Sequence, residues 1–187
     1  MNTSATPQLR PGGRSARVQA AVHQAVRELQ QEDTDGLTVP AIASRAGVTP
    51  STIYRRWGDL TQLLADVAVE QMRPDTAPPD TGTYRGDLET WLGDYLEEIA
   101  SEPGRKMLRD VLCTPVPDNA CRCAEFMAQQ VDIIRERAIA RGEHVVSTRD
   151  VIDHVLSPLL YRILFASEPP SVDDLHHWIA GVLGHRR

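Results

Sequence analysis

Residues 37–57 read LTVPAIASRAGVTPSTIYRRW, and this stretch decides the fold. Thr38 offers a hydroxyl cap to a short helix, Val39 to Ala46, whose Pro40 stands in the first turn, where a missing backbone N–H is no loss. Gly47 ends it. Thr49 followed by Pro50 repeats the start signal, so a second short helix spans Pro50 to Trp57 and stops at Gly58. Two short helices joined by a small-residue turn form a helix-turn-helix, which is both a common packing unit and a device for placing its second helix in the DNA major groove. The second helix carries the chemistry for DNA. Ser51, Thr52, Tyr54, Arg55 and Arg56 offer hydroxyls for phosphate oxygens and guanidinium forks for guanine edges.

Working outward, Val18, Ala21, Val22, Ala25, Val26 and Leu29 recur at helical spacing and predict a first helix from Arg14 to Gln31. Leu60, Leu63, Leu64, Val67 and Ala68 predict a fourth, running to Met72 before Pro74. Residues 74–86, PDTAPPDTGTYRG, read as a linker. Longer helices follow over 87–100, 103–112, 118–141, 148–166 and 172–183, two of them opened by capping boxes at Ser147 to Asp150 and Ser171 to Asp174. No segment alternates like a strand. The chain is therefore read as all-α with about nine helices: an arm over 1–13, a helix-turn-helix domain over 14–59 and a helical regulatory and dimerisation domain over 60–187.

Composition narrows the function. The chain has 187 residues, 41% hydrophobic, with a net charge of −6, and it lacks an apolar run of membrane-spanning length. Its polar start, with Pro7 and Pro11, does not resemble an export signal, so a cytoplasmic location is expected. Arg10, Arg14, Arg17, Arg27, Arg45, Arg55 and Arg56 make the first 60 residues slightly basic, and the remainder is strongly acidic. Such a balance suits one small phosphate-facing surface rather than a general nucleic-acid coat. Arg10, Arg14 and Arg17 read equally as a solvated tail and as an arm reaching flanking DNA. There is no paired-carboxylate, phosphate-loop or nucleophile motif, so an enzyme is not expected, nor a cofactor or metal.

The string L-T-x-x-x-I-A-x-x-A-G-V-x-x-x-T-I-Y-x-x-W, from Leu37 to Trp57, together with Leu63 and Leu64, strongly resembles the N-terminal domain of the tetracycline-repressor (TetR) family of transcriptional regulators. DTGTYRGDL (80–88), ARGE (140–143) and SPLLYRILF (157–165) resemble a subgroup with its own regulatory domain, so the likeness covers nearly the whole chain. The resemblance implies a homodimer on double-stranded operator DNA, three N-terminal helices on the DNA, a fourth linking them to a ligand-binding bundle, and two C-terminal helices at the dimer interface. It implies phosphate contacts from Thr38 and Tyr54, a recognition-helix start at Thr49, Ser51 and Thr52, a base reader in Arg55, and Arg56 in place of the usual His. The family's common Lys is Leu60 here, which removes one phosphate contact.

Three further sites are weighed. The bundle is expected to break at Gly104, between Cys113 and Cys123, and at Pro158, opening a cavity for a small, mostly apolar effector among Trp91, Tyr95, Met107, Phe126 and His154. His154 alternatively reads as a core histidine, and His176, His177 and His185 as solvated. Leu156, Leu160 and Leu164, with Leu175, Trp178, Ile179 and Val182, form apolar stripes suited to a four-helix dimer interface. Cys113, Cys121 and Cys123 read either as small hydrophobes or as a thiol switch or soft-metal site. The competing class is a dimeric small-molecule-binding or thiol-redox-sensing protein with weak or no DNA binding.

Overall fold

The computed structural model describes residues 13–32, 37–113 and 117–184, the side chains of Arg14, Pro117 and Asp118 excepted. The expected arm, with Arg10, and also His185 lie outside the described residues. The elements are α1 (Gly13–Gln31), α2 (Val39–Ala46), α3 (Pro50–Trp57), α4 (Leu60–Gln71), α5 (Tyr84–Ala100), α6 (Glu102–Leu112) and α7 (Pro117–Ala140). After them come α8 (Thr148–Val151), a π-helical turn (Ile152–Leu156), α9 (Ser157–Phe165) and α10 (Val172–Gly184). Counting α8, the π turn and α9 as one interrupted helix, nine helices and no strand stand among the described residues. The chain forms two compact units, 1–67 and 68–187. The division falls inside α4, where an unbroken helix gives the sequence nothing to mark it.

In the first unit, Val22, Val26 and Leu29 of α1 pack on Ile42 of α2, Ile53 and Trp57 of α3, and Leu63 and Val67 of α4. Thr38 caps α2 by accepting from Ala41 N at 3.3 Å. Asp59 opens α4, its Oδ1 accepting from Gln62 N at 2.8 Å. In the second unit the larger core joins Leu88, Leu92 and Ile99 of α5 to Val131 and Ile134 of α7, Leu159 of α9, and Leu175 and Ile179 of α10.

The structure corrects several expectations. Gly104 does not break the bundle: it sits in the first turn of α6, and a Cβ there would collide with the Glu98 carbonyl oxygen, so its small size lets α6 close onto the end of α5. Pro158 acts through the π turn. Having no N–H to continue the helix ladder, it follows a widened turn closed by Ser157 N to Ile152 O. His154, within this turn, is exposed, its Nδ1 2.9 Å from Asp150 O, rather than in the core. Four of the expected interface residues, Leu156, Leu175, Ile179 and Val182, are buried in their own chain's core. Leu160, Leu164 and Trp178 are half-buried, while Tyr161, 65% accessible, and Phe165, 72%, are exposed on α9 and Val172 is exposed at the start of α10. The two helices are apolar on more than one face, and the stripe closest to ideal helical spacing is the one the monomer needs.

The linker is shorter than the sequence implies, because Thr83 caps α5 by accepting from Gly86 N at 3.1 Å and the helix starts at Tyr84. The buried carboxylate of Asp87 accepts from Thr81 N at 2.6 Å, Thr81 Oγ1 at 2.7 Å and Arg141 Nη2 at 3.0 Å. Arg141 also donates to Glu143, which in turn accepts from Tyr84 N. The sequence segments 80–88 and 140–143 thus form one polar lock. Burial alone would raise the Asp87 pKa, but the Thr81 and Arg141 hydrogen bonds outweigh it and hold the carboxyl below its ordinary value of 3.8. A depressed carboxyl contributes stability above its unfolded pKa and loses it as pH falls toward the folded one. Urea unfolding should therefore show level stability above about pH 5 and a decline below about pH 4. Asp87→Asn should flatten that decline; an equally steep decline in the variant would contradict the assignment.

Candidate nucleic-acid interface

Gly47, at φ 65°, turns the chain between α2 and α3 in the left-handed region, where a side chain is disfavoured. The turn puts Thr49, Ser51 and Thr52 together: Thr49 Oγ1 lies 2.9 Å from Ser51 Oγ and 3.0 Å from Thr52 Oγ1. Three hydroxyls thus cluster at the start of α3, an arrangement that suits a phosphate. Thr38 is exposed at the start of α2.

Along α3, Ile53 and Trp57 face the core, while Tyr54, Arg55 and Arg56 face outward. Tyr54 is 51% accessible although aromatic. The Arg55 guanidinium has no partner among the described residues. Arg56 differs. Its Nη1 donates to Ser15 O at 3.1 Å and Ser15 Oγ at 2.7 Å, its Nη2 to Gln19 Oε1 at 2.6 Å, and its guanidinium lies 5.2 Å from the Trp57 ring centroid. It braces α3 against α1 while remaining at the surface. Leu60 packs against the core of the unit, so an apolar side chain occupies the place of the missing Lys. Arg14 belongs to α1, with its side chain outside the described residues.

The sequence reading missed Asp66. Its Oδ2 accepts from Trp57 Nε1 at 2.8 Å, from Gln19 Nε2 at 3.4 Å, and from His23 Nε2 at 2.9 Å. A carboxylate only accepts, so the His23 proton sits on Nε2. His23 is 3% accessible. The signal available was His23 on the apolar stripe of the first helix, which requires a buried partner.

The other expected sites separate. Trp91 and Tyr95 stack, with centroids 6.3 Å apart, and line a hollow with Met127 and Gln130. Met107 and Phe126 pack in a small cluster around Ala68, Val69 and Val111. His154 belongs to a different hollow with His144, His177 and Trp178. The five residues are thus spread over two hollows and a packed cluster. Cys113 and Cys121 are exposed. Cys123 donates to Met72 Sδ at 3.6 Å, and burial pushes its thiol up to about 11, which disfavours a reactive thiolate. Among the described residues no three His, Cys, Asp or Glu side chains gather as a metal site, and no helix is long and apolar enough to cross a membrane.

Comparison with known proteins follows this geometry. The family description "Tetracyclin repressor-like, C-terminal domain" matches residues 78–182, and "Bacterial regulatory proteins, tetR family" matches residues 21–67. An uncharacterized HTH-type transcriptional regulator of Mycobacterium tuberculosis is 28% identical over 167 residues, covering 84% of this chain and 81% of the relative. The HTH-type transcriptional regulator AqdR of Rhodococcus erythropolis is 28% identical over 124 residues, covering 64% and 60%. Among solved structures, the TetR family transcription regulator SCO0332 superposes with a TM-score of 0.67 at 24% identity, over 90% of this chain and 97% of that one. A TetR transcriptional regulator from Rhodococcus sp. RHA1 gives 0.61 at 15% identity, over 91% and 98%. Those two likenesses establish a shared fold.

Asp66→Ala should strand the buried His23 and Trp57 donors and cost roughly 2–4 kcal/mol, read as a lower urea midpoint, with Asp66→Asn costing less because one acceptor remains. Equal stability of Asp66→Ala and wild type would remove the carboxylate from its bracing role.

Proposed function

The chain belongs to the tetR family of bacterial regulatory proteins, and from that premise we propose that it is a ligand-released repressor that binds a palindromic operator as a homodimer in the cytoplasm. The observation that carries this reading is the outward face of α3, where the Thr49, Ser51 and Thr52 hydroxyls, the exposed Tyr54 and the unpartnered Arg55 fork stand together. Arg55 reads a base edge, bidentately if it is guanine, while Tyr54, Thr38 and the hydroxyl cluster fix register on phosphates. A two-fold dimer places two copies of α3 in successive major grooves, which is why the operator is palindromic.

The dimer face proposed is the outer side of α9 and α10: Tyr161, Leu164 and Phe165, with Leu160 and Trp178 at its edge. Exposed aromatic side chains of this size, with Tyr161 and Phe165 ring centroids 5.2 Å apart, support a covered surface. The effector site proposed is the hollow beside Trp91 and Tyr95. Gln71 and Met72, in and just after the last turn of α4, also line it. A ligand that binds one conformation better there shifts α4, alters the separation of the two recognition helices and releases DNA; by reciprocity DNA weakens the ligand equally.

The test is a mobility-shift titration against the intergenic DNA upstream of the protein's own gene. Arg55→Ala should cost about 1–3 kcal/mol and relax preference at one base position, whereas Tyr54→Phe should weaken all sequences alike. Equal losses for Arg55→Ala on operator and random DNA would overturn the base-reading role. Phe165→Glu should convert a micromolar dimer to monomer in sedimentation velocity; an unchanged dimer would move the interface elsewhere.

A further inference from the structure

The hollow lined by Trp91 and Tyr95 has a chemistry more specific than apolar. Its volume is about 460 Å³, ample for a fused ring system. One wall is the Trp91 and Tyr95 pair, 19° from parallel, and Met72 and Met127 add soft, polarisable surface of the kind that packs on aromatic rings. Another wall is the Pro-rich segment at 74–79, which the sequence presents as a linker. Arg137 pins it by donating to Pro78 O at 2.8 Å and Pro79 O at 3.0 Å.

Gln71, Thr76, Tyr95 and Gln130 bring neutral polar groups to a lining that also carries charged side chains, and the last two are largely shielded from solvent. Gln130 is 7% accessible, lines the hollow, and its side-chain amide has no hydrogen-bond partner among the described residues. An amide that the protein leaves unpaired on the wall of a hollow is open to a ligand group that can match its donors and its acceptor. Tyr95 is 8% accessible and its hydroxyl likewise has no protein partner among the described residues. Burial keeps that phenol protonated well above its usual range, so it stands ready as a donor.

The mouth is acidic. Asp75, Asp94 and Glu98 line it and are exposed, and the one cation lining it among the described residues, Arg73, is paired with Glu70 at 3.3 Å. An anionic ligand entering the hollow meets like charge without a free counter-ion.

Resting on the reading of this hollow as the effector site, we infer that the effector is a flat, uncharged aromatic molecule bearing an amide or carbonyl edge, its ring against Trp91 and Tyr95 and its polar edge on Gln130. A site that offers a buried hydrogen-bonding group discriminates strongly against analogues that cannot use it, and a stacked wall discriminates against rings that are not planar.

The experiment is calorimetric titration of the full chain with four probes: 2-naphthamide, naphthalene, naphthalene-2-carboxylate and the saturated decahydronaphthalene-2-carboxamide. The amide should bind at least tenfold tighter than the carboxylate and the saturated analogue. Gln130→Leu should lose at least tenfold on the amide while keeping naphthalene binding, which shows that the hollow survives the substitution. No saturable binding of 2-naphthamide, equal affinity for the saturated or carboxylate probe, or an unchanged amide affinity in Gln130→Leu would each overturn the inference. A parallel mobility-shift arm separates the two readings: selective binding of 2-naphthamide that leaves the DNA complex intact removes the regulatory role and leaves the ligand chemistry standing.

Discussion

One carboxylate holds the N-terminal unit together. Asp66, on α4, accepts from Trp57 at the end of α3 and from His23 and Gln19 on α1, so three helices meet at one oxygen. Hydrogen bonds to an ionised acceptor are among the stronger ones, and a buried network of this kind stabilises only when every member is satisfied. Its geometric consequence is larger than its energy. With Trp57 fixed from beneath and Arg56 tied to Ser15 and Gln19, α3 has little freedom to roll, and the outward direction of Tyr54 and Arg55 follows.

The second unit uses polar contacts differently, to fasten irregular backbone where helices cannot reach. The Asp87 and Arg141 lock secures the approach to α5, and Arg137 secures Pro78 and Pro79. These bonds turn a Pro-rich connection into a wall with a defined inner surface. Short connections normally carry little structure of their own, and this one is ordered because its carbonyls and amides find partners on α5 and α7.

Apolar surface at the C-terminus is more than one chain's core consumes. Leu156, Leu175, Ile179 and Val182 are buried, yet Tyr161 and Phe165 remain outside on α9. Arg162 bridges α9 and α10 at the same end, pairing with Asp174 at 3.1 Å and lying 5.9 Å from the Trp178 ring centroid. The exposed aromatics therefore stand on helices whose mutual placement is fixed, and a rigid apolar face is a better docking surface than a mobile one.

The helix-turn-helix was written in local signals. Thr38 with Pro40, Gly47, and Thr49 with Pro50 act within a turn of the residues they affect, and both short helices start and stop where those signals put them. Periodicity likewise placed Val22, Val26 and Leu63 inside, because a helix face is a property of spacing alone. Tertiary structure decided what depends on residues distant in sequence. Asp66 is an ordinary acid until His23 and Trp57 are folded onto it, and Arg55 and Arg56, adjacent and chemically identical, differ only because α1 offers acceptors to one of them. Gly104 reads as a helix breaker until the Glu98 carbonyl is seen against it. His154 reads as inward from its apolar neighbours, yet in the fold it stands exposed within the π turn. Local sequence sets where helices begin, end and turn their apolar sides; which of two equivalent side chains is occupied, and which of two apolar faces stays exposed, is set by the neighbours that packing brings.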